Sequence, residues 1–221
     1  FPDGTLQKTV TDSLRDVTTL SIDAEGKLLA SASADGKVRV WLLPKGALVK
    51  TIGSENAHVQ LNAVAVAPDG KSVFTGGADR TLRSWSFPAG EMLAARGPRT
   101  VDAIRALAFS PDGTLLFSGS KSDYWSRGMP IQFWSLRRKQ VVKELREPGV
   151  IQTMVALATS RDGTIVASCR AEKVIRLWSL PDGALLKVLE GHQGNVTMMA
   201  MTPDGKHLVS GGDDRSLRVW L

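Results

Sequence analysis

Residues 207–220, HLVSGGDDRSLRVW, set the pattern of the whole chain. The same kind of segment occurs as LLASASADGKVRVW at 28–41, as SVFTGGADRTLRSW at 72–85 and as IVASCRAEKVIRLW at 165–178. A longer version, LLFSGSKSDYWSRGMPIQFW, occupies residues 115–134. All five copies end on a Trp, and successive closing tryptophans are separated by 44, 49, 44 and 42 residues. The chain is therefore a series of five sequence repeats.

Each repeat predicts four short strands. Apolar residues come in runs or alternate over four to seven positions, and no helical spacing is sustained over ten residues. Pro-Asp-Gly turns at 68–70, 111–113 and 203–205 predict hairpins, because Pro presets φ and Gly adopts the positive φ that closes the turn. Four antiparallel strands repeated five times predict an all-β propeller with four-stranded blades. The repeat units are 1–42, 43–86, 87–135, 136–179 and 180–221.

The repeats resemble the WD-repeat β-propeller family over the whole chain. The last copy carries most of the family's hallmarks, with Gly191-His192 before the repeat, Asp214 in the turn and the closing Trp220. None of the closing tryptophans is followed by the Asp of the family's Trp-Asp pair. The resemblance implies a rigid platform that binds other proteins or peptides.

The resemblance also implies a hydrogen-bonded structural tetrad in the last repeat, formed by His192, Ser210, Asp214 and Trp220. A buried indole N–H is a donor only and needs an acceptor, which the Ser hydroxyl supplies and relays to His and Asp. The repeats that close on Trp41 and Trp85 supply three members each, and the fourth repeat offers Ser168 and Glu172. A Ser, His and Asp together also suggest a hydrolase, but the Trp partner and the repeat context explain every member structurally. We therefore predict no catalytic residue and a protein that is not an enzyme.

The sequence gives little indication of a metal site, a cofactor site or nucleic-acid binding. The single cysteine, Cys169, and three scattered histidines predict no metal site and no disulfide, and no dinucleotide fingerprint points to a cofactor. The net charge of +6 suggests that the chain binds nucleic acid. However, four arginines recur two residues before a Trp, which indicates a packing role. They are Arg39, Arg83, Arg176 and Arg218. The remaining basic cluster, around Arg137-Arg138-Lys139, is expected to be a solvated rim. We expect no specific nucleic-acid partner, no membrane partner and a cytoplasmic location.

The third repeat contains an insertion. The distance from Ser or Thr to the closing Trp is 10 residues in four copies but 16 from Ser118 to Trp134. Tyr, Trp and Arg are enriched at interface hot spots, and function concentrates on loops that a rigid scaffold carries. The insertion therefore either binds a partner or folds back to cap an exposed edge. The predicted partner-binding residues are Lys121, Asp123, Tyr124, Trp125, Arg127 and Met129.

These observations predict a non-catalytic scaffold or adaptor that mediates protein–protein interactions through the face carrying the 121–130 loop. The alternative is a ligand-binding or enzyme-associated propeller that uses its central channel. The five repeats form either a closed five-blade ring or an arc of a larger, about seven-blade propeller, and the arc is favoured. In that case, additional domains of the same chain are further partners.

Overall fold

A computed structural model describes residues 6, 9–11, 15–53, 59–96, 103–120, 130–146, 152–202 and 205–221. Every regular element in these ranges is a β-strand. In the described part of the chain, no helix has the length and apolarity needed to cross a membrane.

Nineteen strands follow one another along the described ranges. Those of the first two blades are β1 (Val17–Ile22), β2 (Leu28–Ser33), β3 (Lys37–Leu42), β4 (Ala47–Gly53), β5 (Leu61–Val66), β6 (Ser72–Gly77), β7 (Leu82–Ser86) and β8 (Met92–Arg96). The third and fourth blades contain β9 (Ile104–Phe109), β10 (Leu115–Ser120), β11 (Ile131–Ser135), β12 (Gln140–Leu145), β13 (Met154–Thr159), β14 (Ile165–Arg170), β15 (Ile175–Ser179) and β16 (Leu185–Leu189). The fifth blade contains β17 (Val196–Met201), β18 (Leu208–Gly212) and β19 (Leu217–Trp220).

The strands pair in chain order into five antiparallel sheets, which are the blades of a β-propeller. The predicted all-β fold and its blade-by-blade repetition are confirmed. Blades 1 to 4 each have four strands, whereas the described part of blade 5 has three. Residues 1–14, at the start of repeat unit 1–42, lie mostly outside the described residues. Leu6, Thr9 and Val10 are described, and they belong to no strand.

The turns form where the sequence predicts them. Gly70, Gly113 and Gly205 have φ values of 67°, 68° and 70°, a conformation that costs glycine little because it has no Cβ. Asp112 reinforces its turn by accepting a hydrogen bond from the Thr114 N–H at 3.1 Å. The turns that contain these three glycines therefore close the tight hairpins that connect the first and second strands of their blades.

The hydrophobic core lies between blades rather than within one. Four clusters of buried apolar side chains each join two consecutive blades. A single β-sheet has two faces and cannot bury either one alone, so each blade is stabilised by its neighbours.

The first strands of the blades are innermost: β1 packs on β5, β5 on β9, β9 on β13 and β13 on β17. Among the described strands, β17 makes no comparable contact with β1. We call the side on which these inner strands begin the upper face. The second strands end on the upper face, so the end of β10 and the start of β11, which flank residues 121–129 in the sequence, lie on this face.

Candidate functional site

His192, Ser210, Asp214 and Trp220 lie in continuous hydrogen-bond contact. His192 Nδ1 is 2.9 Å from Asp214 Oδ2, and His192 Nε2 is 2.8 Å from Ser210 Oγ. The Trp220 indole N–H donates to Ser210 Oγ at 2.9 Å. Strands β18 and β19 position Ser210 and Trp220, while the turn between these strands supplies Asp214.

The direction of the hydrogen bonds follows from the donors available. Asp214 accepts from Nδ1–H of His192, so Nε2 is left to accept the Ser210 hydroxyl proton, and the Ser210 oxygen accepts the indole N–H. Ser210 is 1% exposed and His192 3% exposed. A substrate cannot approach a hydroxyl that is buried and bonded to Trp220, so the arrangement stabilises the blade and does not supply a nucleophile.

Asp214 is held in its ionised form. Burial opposes ionisation, but hydrogen bonds from the Ser216 hydroxyl, the Gln193 N–H and His192 outweigh it and lower the pKa of the carboxyl well below its usual range. The Ser216 Oγ to Asp214 Oδ1 distance is 2.7 Å, and the Gln193 N to Asp214 Oδ2 distance is 2.8 Å. Asp214 therefore links the turn of blade 5 to the segment that enters this blade.

The other four blades keep the Trp hydrogen bond. Each closing indole N–H donates to the Ser or Thr hydroxyl on the neighbouring second strand. The pairs are Trp41 to Ser31 at 3.1 Å, Trp85 to Thr75 at 3.2 Å, Trp134 to Ser118 at 2.9 Å and Trp178 to Ser168 at 2.9 Å. The hydroxyl and the Trp thus form one repeated contact in all five blades.

In three blades where no His contact is described, the acidic residue of the turn between the second and third strands pairs with an arginine. Asp35 pairs with Arg39 at 2.9 Å, Asp79 pairs with Arg83 at 2.5 Å, and Glu172 pairs with Arg176. Sequence reasoning grouped these acids with the Trp and the hydroxyl, and it missed their arginine partner. The signal was the constant four-residue spacing between the acid and the Arg.

The ion pairs account for three of the four arginines that recur two residues before Trp, which are Arg39, Arg83 and Arg176. Arg39 is buried, and its guanidinium contacts the Asp35 carboxylate at the upper face. Burial opposes the ionisation of Asp35, but the bonds from Arg39 and from the Lys37 N–H lower the pKa of its carboxyl below the usual value. These charges therefore take part in packing within a blade.

The basic cluster of blade 3 is dispersed in space. Arg137, Arg138 and Lys139 are exposed on the turn after β11. Lys143 instead donates to the carbonyl oxygens of Pro181 at 3.2 Å and of Asp182 in the next blade. The absence of a specific nucleic-acid partner stays a prediction.

Cys169 is a core residue. Its side chain is fully buried in the cluster between blades 4 and 5, and burial raises the pKa of its thiol to about 12. A thiol with such a pKa is a poor nucleophile and a poor metal ligand at neutral pH. In the part of the chain that the structure describes, no group of three His, Cys, Asp or Glu side chains could hold a metal ion.

The predicted partner-binding residues, Lys121, Asp123, Tyr124, Trp125, Arg127 and Met129, lie outside the described residues. The strand ends that flank these residues, at Ser120 and Ile131, are described, and we call them the attachment points. Ser120 is buried at the end of β10 and pairs with Ile104, and Ile131 is buried at the start of β11. We call residues 121–129 the insert segment.

A depression of about 370 Å³ opens on the upper face, where the inner strands of blades 1 to 4 converge. Two of its polar residues bridge neighbouring blades, because Thr18 Oγ1 donates to Leu61 O at 2.7 Å and Asn62 Nδ2 donates to Ile104 O at 3.3 Å. Arg105 is exposed in this depression. The repeat pattern of the sequence does not single out the other lining residues, which are Thr18, Gln60, Asn62, Thr153, Met154 and Val155.

Comparison with known proteins agrees with this architecture. A family model described as "WD domain, G-beta repeat" matches residues 4–41, 46–86, 96–124, 144–179 and 183–220. The chain belongs to this family. Members of the family generally act as non-catalytic platforms that mediate protein–protein interactions.

Individual relatives match shorter stretches. The chain is 34% identical to WD repeat-containing protein 1 of Gallus gallus over 53% of its own length and 20% of the relative's length. It is 28% identical to protein groucho of Drosophila melanogaster over 53% of its length and 15% of the relative's. It is 38% identical to nuclear distribution protein PAC1 of Coccidioides posadasii over 29% of its length and 14% of the relative's. The chain thus spans a fifth or less of each of these relatives.

Proposed function

We propose that this chain is a cytoplasmic, non-catalytic scaffold that binds protein or peptide partners on its upper face, with the insert segment as the main contact. It needs no cofactor or metal for this role. The observation that supports the proposal is the position of the two strand ends that flank the insert segment, because the end of β10 and the start of β11 lie on the upper face, near the depression.

Both attachment points belong to the packed core. Ser120 at the end of β10 is buried, and Ser118 two residues earlier accepts the Trp134 indole hydrogen bond. Ile131 at the start of β11 belongs to the cluster between blades 3 and 4. A segment attached to fixed strands presents its side chains with a smaller loss of entropy on binding than a segment attached to mobile ones. The insert segment contains Tyr124, Trp125 and Arg127, which are the residue types that most often dominate binding energy.

The depression adjoins these attachment points. Ile104, the partner of Ser120 across the sheet, directly precedes Arg105 in β9. A partner that contacts the insert segment can therefore extend over the depression and place an acidic side chain near Arg105. This combination favours an acidic peptide or protein surface over a basic one.

The tetrad supports the non-catalytic part of the proposal. It is the arrangement closest to a hydrolytic triad in the described residues, and its hydroxyl is buried and bonded to Trp220. The family's general role as an interaction platform also supports a non-catalytic function.

A proximity-labelling comparison tests the proposal. The intact chain and the Tyr124→Ala/Trp125→Ala variant are expressed at equal levels, and their labelled neighbours are compared by mass spectrometry. We expect the double variant to lose a defined set of partners, because truncation of hot-spot residues typically costs more than about 2 kcal/mol of binding energy each. Its melting temperature should stay close to that of the intact chain.

The matched control is Leu185→Ala/Leu186→Ala. These two exposed apolar residues lie on the outer strand β16, away from the upper face, so their removal changes exposed apolar area without touching the insert segment. The control should keep all partners. A double variant at Tyr124 and Trp125 that melts at a lower temperature yet retains every partner would show that these residues cap an edge and do not bind.

A small anionic ligand in the depression is the second candidate, and the exposed Arg105 favours it. Native mass spectrometry of the intact chain and of Arg105→Met distinguishes the two functions. A small metabolite that is retained by the Tyr124→Ala/Trp125→Ala variant and lost with Arg105→Met would favour the ligand-binding function.

A further inference from the structure

The turn between the third and fourth strands of blade 3 differs in sequence from its counterparts. In blades 1, 2 and 4 this turn contains Pro44-Lys45-Gly46, Pro88-Ala89-Gly90 and Pro181-Asp182-Gly183. In blade 3 the same positions are Arg137-Arg138-Lys139, and all three side chains are exposed. We call these three residues the basic turn. Three consecutive cations thus replace a Pro and a Gly that favour a turn.

The backbone of the basic turn keeps the conformation of the other blades. Gly46, Gly90 and Gly183 have φ values of 58°, 75° and 64°, and Lys139 at the same position has a φ of 55°. A positive φ costs glycine little, but in any other residue it brings the Cβ close to the residue's own backbone. A merely solvated rim does not require a cation at this position. The strained Lys139 therefore favours a function for this turn.

A groove of about 530 Å³ opens between blades 3 and 4 on the side opposite the upper face, which we call the lower face. Its apolar lining consists of Pro111, Leu115, Leu180 and Pro181. Leu115 and Leu180 also pack against the core cluster that joins the two blades, so the core fixes this part of the groove. The groove is therefore a preformed site for an apolar side chain.

The basic turn adjoins this groove. Leu136, which directly precedes the basic turn, donates its N–H to the carbonyl oxygen of Thr114 at 3.1 Å, and Thr114 lines the groove. Lys143 of β12 donates to the carbonyl oxygen of Pro181, another lining residue, at 3.2 Å. These two contacts place the basic turn at the edge of the groove and connect its outer strand to blade 4.

Two carboxylates and one guanidinium also line the groove. Asp112 and Asp162 each accept hydrogen bonds from the Ser and Thr hydroxyls of their own turns, at distances between 2.5 and 2.8 Å. Both carboxylates are therefore engaged within their turns. Arg161 is exposed and adds a fourth cation to the three of the basic turn. The excess of cations favours an anionic partner.

We propose that the groove and the basic turn form a second binding surface, on the lower face, for an acidic peptide segment of a partner protein. An apolar side chain of the segment occupies the groove, and its carboxylates contact Arg161 and the basic turn. This inference is independent of the proposed function, because the upper face takes no part in it. A chain with one binding surface on each face holds two partners at once.

The lining of the groove favours a peptide over nucleic acid or an anionic membrane. Hydrogen bonds from the Ser hydroxyls lower the pKa of Asp112 and of Asp162, so both are ionised at neutral pH and repel a continuous row of phosphates. Among the described residues, no aromatic side chain lines the groove, so nucleic-acid bases have no stacking surface there. A peptide can combine an apolar side chain with separated carboxylates.

Fluorescence anisotropy tests the proposal with a short labelled peptide of alternating Glu and Leu. A reference peptide has Ser in place of every Leu. The intact chain should bind the first peptide more tightly than the second. Arg137→Ser/Arg138→Ser/Lys139→Gly should weaken binding of the first peptide by about tenfold at low salt, because three charge contacts are lost. Its melting temperature should not fall, because Gly suits the positive φ at this position.

The matched control is Lys71→Ser/Arg80→Ser/Lys173→Ser, which removes the same charge from exposed positions outside the groove. It should bind the peptide as the intact chain does. The Tyr124→Ala/Trp125→Ala variant should also retain the peptide. Loss of the peptide in that variant alone would place the contact on the upper face, which would overturn this inference and leave the proposed function standing.

Three further results would overturn the proposal. They are no binding of the Glu-Leu peptide, equal binding of the Glu-Ser peptide, and tighter binding of single-stranded RNA or of phosphatidylserine vesicles than of the Glu-Leu peptide. If the triple variant of the basic turn melts at a lower temperature, Arg161→Ser replaces it, because Arg161 lies in the groove outside that turn. This variant should weaken binding about threefold, and unchanged binding would count against the proposal.

Discussion

Replacing Ser210 by Ala removes a hydroxyl oxygen that the side chains of His192 and Trp220 share. The Trp220 indole N–H loses its acceptor at 2.9 Å, and His192 Nε2 loses its hydrogen-bond partner at 2.8 Å. Leaving a buried polar group without a partner costs about 1–3 kcal/mol. Because Trp220 is partly exposed and water can replace some of its lost bond, we expect a total cost of about 2–4 kcal/mol.

Ser168→Ala is the matched control in blade 4. Ser168 accepts the Trp178 indole hydrogen bond at 2.9 Å, and no histidine contacts its hydroxyl among the described residues. Its replacement should cost about 1–2 kcal/mol, since one partner is affected rather than two. The difference between the two variants therefore measures the contribution of the histidine.

Hydrogen exchange followed by mass spectrometry is the appropriate assay, because a terminal repeat can open without unfolding the others. Peptides from residues 191–221 report on Ser210→Ala, and peptides from residues 165–178 report on Ser168→Ala. We expect the larger acceleration in residues 191–221. An acceleration no greater than that of the control would refute the claim that His192 stabilises blade 5 through Ser210.

Two further predictions concern titratable groups. Because the native pKa of Asp214 is lowered, its contribution to stability is fully present above the ordinary carboxyl pKa of about 4 and is lost as the pH falls through the native value. Protection of residues 191–221 from exchange, measured relative to the intrinsic exchange rate at each pH, should therefore fall below about pH 4, and Asp214→Asn should flatten this dependence. Cys169, fully buried with a thiol pKa of about 12, should resist iodoacetamide at pH 8 in the native chain and react once the chain is unfolded in urea; rapid native alkylation would contradict its place in the core.

The repeat pattern was readable from the sequence because each blade uses the same local interactions. The closing Trp and a hydroxyl ten residues earlier are neighbours across a hairpin, as the Trp41 and Ser31 pair shows, so their spacing is fixed by the strand register. The glycine turns are equally local. Such contacts within 20 residues leave a direct trace in the sequence.

Other features of the site depended on contacts between blades. In the turn between the second and third strands, Asp35 of blade 1 pairs with Arg39, whereas Asp214 of blade 5 contacts His192. Which partner the carboxylate has depends on whether a histidine from the preceding segment reaches the turn. The depression near Arg105 combines residues from four blades that are about 45 positions apart in the sequence. No single repeat contains enough of this lining to reveal it.

The sequence by itself determined the β-propeller class, the register of the five repeats, the tetrad residues and the insert in the third repeat, because all of these depend on short-range spacing. Only the tertiary structure decided which apolar faces are covered. Ile175 and Leu217 occupy the same position in their repeats, yet one is fully buried and the other exposed, because burial depends on whether another blade packs against that face.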